Sequence, residues 1–285
     1  IGALIARTTG PALQTAGKLN SYLGFYGPRT ELVNICTEKS LLRLFCKDVG
    51  IPVPEGMNVD LSQDLQEDLM PLPPWVVRPD STLVGKKAIS LCKSFFELAT
   101  ASARAIEASA NSTCDIASYK DGRDITSFVL FESGKANQLV VWEEINEFAS
   151  VNQDVDFLLT AVSLKAPVEL NVDVKRRIQI YSDIIANTFS YLIYPVALSW
   201  RLSGNGSLWL IEMHADLTGD GILDQLLPLV FDKSIIDPLV HGLLCSQSAD
   251  SVCYNSLKKI LSNSRPPKQL NKVSPNDSNT KRFPT

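Results

Sequence analysis

Leu208-Trp209-Leu210-Ile211-Glu212-Met213-His214-Ala215-Asp216-Leu217-Thr218-Gly219-Asp220-Gly221 runs from four apolar residues into a carboxylate and then turns through two glycines. A strand that carries an acidic side chain to its end before a glycine turn is suited to presenting a metal ligand beside a polyphosphate. A carboxylate ending so apolar a strand must either face a cleft or be paired, because burying it alone is costly. Glu212 is therefore the candidate metal-facing residue, with His214 two positions further on.

Working upstream, the turn Gly204-Asn205-Gly206 makes a hairpin of Val196 to Leu202 and Ser207 to Glu212. Before it, Ile178, Tyr181, Ile184, Ile185, Thr188 and Phe189 share one face of a helix predicted over Lys175 to Tyr191. Asn146 to Asn171 is less regular, with a short helix or strand at Val155 to Leu164. Cys114 to Tyr119, Ile125 to Phe131 and Gln138 to Glu144 read as three strands of one antiparallel meander. Ser94 to Ala110 is an alanine-rich amphipathic helix, preceded by strands at Trp75 to Arg78 and Ala88 to Leu91. The N-terminal part reads as helices: one over Pro11 to Leu23, ending at Gly24, and two short ones between Thr30 and Gly50. Downstream of the opening stretch, helices are expected over Ile222 to Val230 and Ile235 to Leu244, then a flexible tail beyond Ser264, where large apolar residues become rare.

Composition narrows the function classes. No window approaches the ~18 consecutive apolar residues of a membrane-spanning helix. The net charge of -4 offers no long-range attraction to nucleic acid. Cys36, Cys46, Cys92, Cys114, Cys245 and Cys253 form no CxxC pair, so neither a zinc site nor a disulfide framework is expected. They read as small buried hydrophobes of an intracellular, cytoplasmic protein. The four tryptophans Trp75, Trp142, Trp200 and Trp209 all fall in predicted strands, where core packing is their expected role. The chain opens with Ile1, and an N-terminal part, with any targeting segment, is expected to be missing.

Two cations precede the acidic strand. Arg78 ends the strand Trp75-Val76-Val77 ahead of Pro79, and the loop that follows holds Gly85-Lys86-Lys87. Such a set is either a phosphate clamp or a solvated strand end and turn. Arg43 lies on the preceding helix, where it either adds a second cation or pairs with Asp48 or Glu38.

The order of these pieces resembles the ATP-grasp family: Thr37-Glu38-Lys39-Ser40-Leu41-Leu42-Arg43, then Gly50-Ile51-Pro52-Val53-Pro54, then Trp75-Val76-Val77-Arg78-Pro79. Ala88-Ile89-Ser90-Leu91 is similar to the family's strand after the glycine-rich loop, and Tyr119 to Asp124 to its hinge segment. The likeness runs from about Ala12 to about Leu244 and is greatest to the carboxylate-amine ligases, including L-amino-acid and D-alanine ligases. It implies an α+β fold of two α+β subdomains with a cleft between them, the N-terminal domain being absent or truncated. Expected boundaries are linker helices over 1–37, a central subdomain over 38–113, a C-terminal subdomain over 114–263 and a tail over 264–285. It also implies ATP and magnesium as cofactors, a carboxylate and an amine as substrates, Arg43, Arg78, Gly85 and Lys86 as nucleotide-binding residues, and Glu212 with His214 at the metal.

Several positions depart from the family pattern. Arg78 stands where a lysine is expected, and Ala117 where a hinge glutamate grips the nucleotide. Ser199, thirteen residues before Glu212, takes the place of a second metal carboxylate, and Asp216 that of an arginine. The changes at Ser199 and Asp216 act on one developing phosphoryl charge, so the resemblance also implies an alternative: a catalytically degenerate domain serving as a structural or regulatory subunit with a protein partner.

Overall fold

The computed structural model describes residues 4, 6–25, 27–63, 65–81, 88–150, 157–166 and 168–217, with isolated positions at 223, 228, 234 and 236. The helices expected after Ile222, the tail, and the loop carrying Gly85 and Lys86 lie outside the described residues.

Three helices open the chain: α1 (Gly10–Leu23), α2 (Thr30–Thr37) and α3 (Lys39–Val49). Gly24 and Gly50 end α1 and α3 in the left-handed conformation, which costs glycine little. The first turn of α3 is capped from a distance. Asp80 is buried, and its carboxylate accepts from Ser40 N at 2.7 Å, Ser40 Oγ at 3.0 Å and Asn111 Nδ2 at 2.7 Å. An N-cap is normally local; this one joins α3 to the strand that ends at Pro79.

A four-stranded sheet of order β1-β4-β2-β3 comprises β1 (Gly56–Val59), β2 (Trp75–Pro79), β3 (Ser90–Cys92) and β4 (Cys114–Ser118), all antiparallel. Helix α4 (Phe95–Ala108) covers it and buries Leu98, Ala101 and Ala105 against Trp75, Val77 and Ile116.

The five-stranded sheet has the order β7-β6-β5-β8-β9 and is likewise antiparallel. Its members are β5 (Arg123–Glu132), β6 (Lys135–Ser150), β7 (Phe157–Lys165), β8 (Tyr194–Leu202) and β9 (Leu208–His214). Helix α5 (Val172–Thr188) begins where Asn171 Oδ1 accepts from Val174 N at 2.8 Å and packs Ile178 and Ile185 into the core with Phe128, Trp142 and Trp200. Leu32, Leu42 and Cys46 bring α2 and α3 into this same core.

The fold is α+β with two antiparallel sheets. Three expectations change. Cys114–Ser118 does not join the meander: it pairs with β1 and β2, and the chain crosses to the second sheet at residues 119–122. The stretch read as an irregular excursion contains the end of β6 and the whole of β7. β1 was not foreseen, since Pro52 and Pro54 obscure a strand that begins two residues later. Among the tryptophans, Trp75, Trp142 and Trp200 are buried in the cores, whereas Trp209 is half-buried with Lys120 Nζ 5.5 Å from its ring centroid. Among the described residues no helix is long and apolar enough to cross a membrane.

Candidate functional site

A cleft of about 360 Å³ lies between the sheets, lined by Arg78 and Ala117 of the small sheet, Ser199, Glu212 and His214 of the large one, and Lys39 of α3. Small-molecule sites commonly measure 300 Å³ or more.

β9 delivers Glu212 to this cleft through a bulge. Ser199 pairs with Glu212, but Trp200 pairs with Leu210, so Ile211 is the extra residue. Leu208, Leu210 and Met213 are buried while Glu212 and His214 face the cleft. A strict alternation of period two would have put Glu212 on the side of Leu208 and Leu210; one inserted residue reverses the phase.

Arg78 spans the gap. Its Nε donates to Asp115 Oδ2 at 3.0 Å within the small sheet, and its Nη1 donates to Glu212 Oε1 at 3.3 Å on the large one. Lys39 Nζ approaches the same Glu212 oxygen at 3.8 Å, and His214 Nε2 lies 3.4 Å from Oε2. Burial works against ionisation of Glu212, yet Lys39, His214 and Arg78 together hold its carboxyl well below the ordinary range. Burial likewise opposes a charged His214, but Glu212 and then Asp216 raise its pKa above the usual value. The Arg78 guanidinium stays charged against its burial because Asp115 and Glu212 flank it.

Arg43 is placed differently. It is 8% exposed, does not line the cleft, and contacts the fully buried Asp115 rather than Asp48 or Glu38. One helical turn earlier, Lys39 is the α3 cation that faces the cleft. Of the cations singled out in the sequence, Arg78 stands with Glu212 and His214, Arg43 stands behind it, and Lys86 with Gly85 falls outside the described residues. Lys39 and Asp115 were not singled out. Lys39 sat four residues before Arg43 on the same helix face, and Asp115 interrupts an otherwise apolar strand, so both left a signal.

The floor of the cleft is a polar row on the large sheet. Thr126 Oγ1 lies 3.3 Å from Ser199 Oγ and donates to Glu144 Oε1 at 3.4 Å, while Arg201 pairs with Asp124 at 2.9 Å. Across the hinge, Arg201 lies over the Tyr119 ring at 5.5 Å. Ala117 presents only a methyl group, and the Ser118 hydroxyl is spent on the Leu72 carbonyl at 2.8 Å.

Structural comparison places the whole arrangement among known folds. The L-amino acid ligase of Bacillus licheniformis superposes with a TM-score of 0.67 over 90% of this chain and 57% of its own, at 17% identity. The chain has the ATP-grasp fold. A second structural match is the biotin carboxylase domain of 2-oxoglutarate carboxylase from Hydrogenobacter thermophilus, in complex with MgADP, ADP and bicarbonate: TM-score 0.61, 14% identity, 90% of this chain and 52% of that one. The VanG D-Ala:D-Ser ligase of Enterococcus faecalis gives 0.60 at 16% identity, over 76% of this chain and 64% of its own. The chain thus spans between about half and two thirds of these neighbours. No family model and no curated protein matches it by sequence.

Proposed function

We propose that this cleft is a nucleotide site and that the chain is an ATP-binding domain of the carboxylate-amine ligase kind. The observation that carries the reading is the convergence of Arg78 from one sheet and Glu212 from the other in a cleft large enough for a small ligand. In the corresponding reaction a carboxylate attacks the γ-phosphorus of ATP, ADP leaves, and an amine then displaces phosphate from the acyl phosphate. The protein's share of such a reaction is positioning and neutralisation of the phosphoryl charge. Lys39 and Arg78 fit that share, with Gly85 and Lys86 proposed to cover the phosphates and Arg43 to support Arg78 from behind.

Magnesium fits less well. Glu212 offers one anionic oxygen set, but the residue paired with it across the strands is Ser199, and His214 adds a nitrogen where magnesium takes oxygen. Among the described residues no group of three or more His, Cys, Asp or Glu is placed to hold a metal ion. The described residues do not fit a two-carboxylate magnesium centre, and among them Lys39 and Arg78 are placed to neutralise phosphoryl charge in the cleft.

That mismatch supports a second reading, in which the domain binds nucleotide but serves as a structural or regulatory subunit of a larger assembly. A thermal-shift titration with ATP, with and without magnesium, tests the shared premise: at 100 times the dissociation constant, binding adds about 2.7 kcal/mol of stability. Phosphate release with candidate amino acids, abolished by Arg78→Ala, identifies the ligase; a shift without release identifies the binding subunit. Absence of any shift rejects the nucleotide site.

A further inference from the structure

We propose that Glu212 is a resident counter-ion in the cleft and sets the charge that a ligand must carry to bind there. The inference rests on the reading of the cleft as a polyphosphate site. A phosphate group approaching from the cleft needs the outward donors of Arg78 and the ammonium of Lys39. Both already face one carboxylate oxygen, Glu212 Oε1, at 3.3 Å and 3.8 Å. Asp115 takes Arg78 Nε from the opposite side, so the guanidinium has anions at its back and at its front. The Glu212 side chain is 31% exposed and lies at the surface of the cleft, where a ligand would compete with it.

The charges lining the cleft nearly balance. Lys39, Arg78, Lys120 and Arg201 stand against Asp124, Glu144, Glu212 and Asp216, with His214 beside Glu212, so the lining gives a polyanion little net attraction while Glu212 keeps its place. A monoanion exchanges one carboxylate contact for one phosphate contact and gains little. A chain of phosphates can take Lys39 and Arg78 together, leaving Glu212 to His214, its other partner at 3.4 Å. Glu212 is on this account a specificity-determining residue whose effect on phosphate binding is opposite in sign to that of a metal-holding carboxylate.

The experiment is calorimetric titration of the chain with inorganic tripolyphosphate in EDTA, for the wild type, Glu212→Gln, Glu212→Ala and Arg78→Ala. The expected result is binding about two- to fivefold tighter in Glu212→Gln, the scale of one partly exposed charge contact. Glu212→Ala should share its sign, and Arg78→Ala should bind more weakly than wild type. Unchanged or weaker binding in both Glu212 variants, with wild-type binding intact, overturns the counter-ion role and leaves the polyphosphate cleft standing. If no form binds tripolyphosphate and ATP gives no thermal shift, the cleft reading fails and this inference fails with it.

Discussion

Arg78 Nε and Asp115 Oδ2 meet at 3.0 Å, 37 residues apart in the chain, on adjacent strands of the small sheet. Asp115 is fully buried, and its second oxygen contacts Arg43. Two guanidinium groups thus depend on one carboxylate. Removing one partner of a buried pair leaves charge without compensation and costs about 3–5 kcal/mol. Asp115→Ala is expected to lose stability on that scale in urea unfolding, far beyond a surface substitution. A loss below about 1 kcal/mol would show that water, not Asp115, satisfies the two arginines.

Gly56 makes this pairing possible by leaving space. A Cβ built there would lie 2.6 Å from the Ile116 carbonyl oxygen and 2.7 Å from Arg43 Nη2. One of these neighbours is backbone, so the strain cannot be relieved by a rotamer change alone. Gly56→Ala is expected to destabilise the fold by about 1–3 kcal/mol, the usual penalty for overpacking. A melting temperature equal to that of the wild type would contradict the close approach.

The thiols offer a pH-dependent check. Burial pushes the Cys46 thiol up to about 12 and those of Cys92 and Cys114 up to about 11, against an ordinary value near 8.5. A raised pKa means the thiol stays protonated until the pH approaches it, and the thiolate is the reactive species. At pH 8 these three cysteines should resist a thiol reagent in the folded protein and react promptly in denaturant. Rapid labelling of any of them under native conditions would show that its site opens.

Much of the architecture was legible in local pattern. The shared face of Ile178, Tyr181 and Ile185 marked α5, and Gly24 and Gly50 marked helix ends, because periodicity and backbone permissiveness are properties of neighbouring residues. The turn at 204–206 gave the β8–β9 hairpin for the same reason. The split of the strands between two sheets was not legible: Cys114–Ser118 and Arg123–Glu132 both look like members of one meander, and only long-range pairing assigns them to different sheets.

The amino-acid order alone determined that a cation-ended strand, a proline-flanked bend and an acid-ended strand occur in the succession of an ATP-grasp domain, since each is a short-range feature. Tertiary structure decided which charges meet. Whether Arg43 paired with Asp48, Glu38 or something remote was settled by Asp115, 72 residues away. Whether Glu212 faced core or cleft was settled by one extra residue in β9. Both outcomes depend on register between strands distant in sequence, and a shift of one residue there exchanges the faces of a sheet.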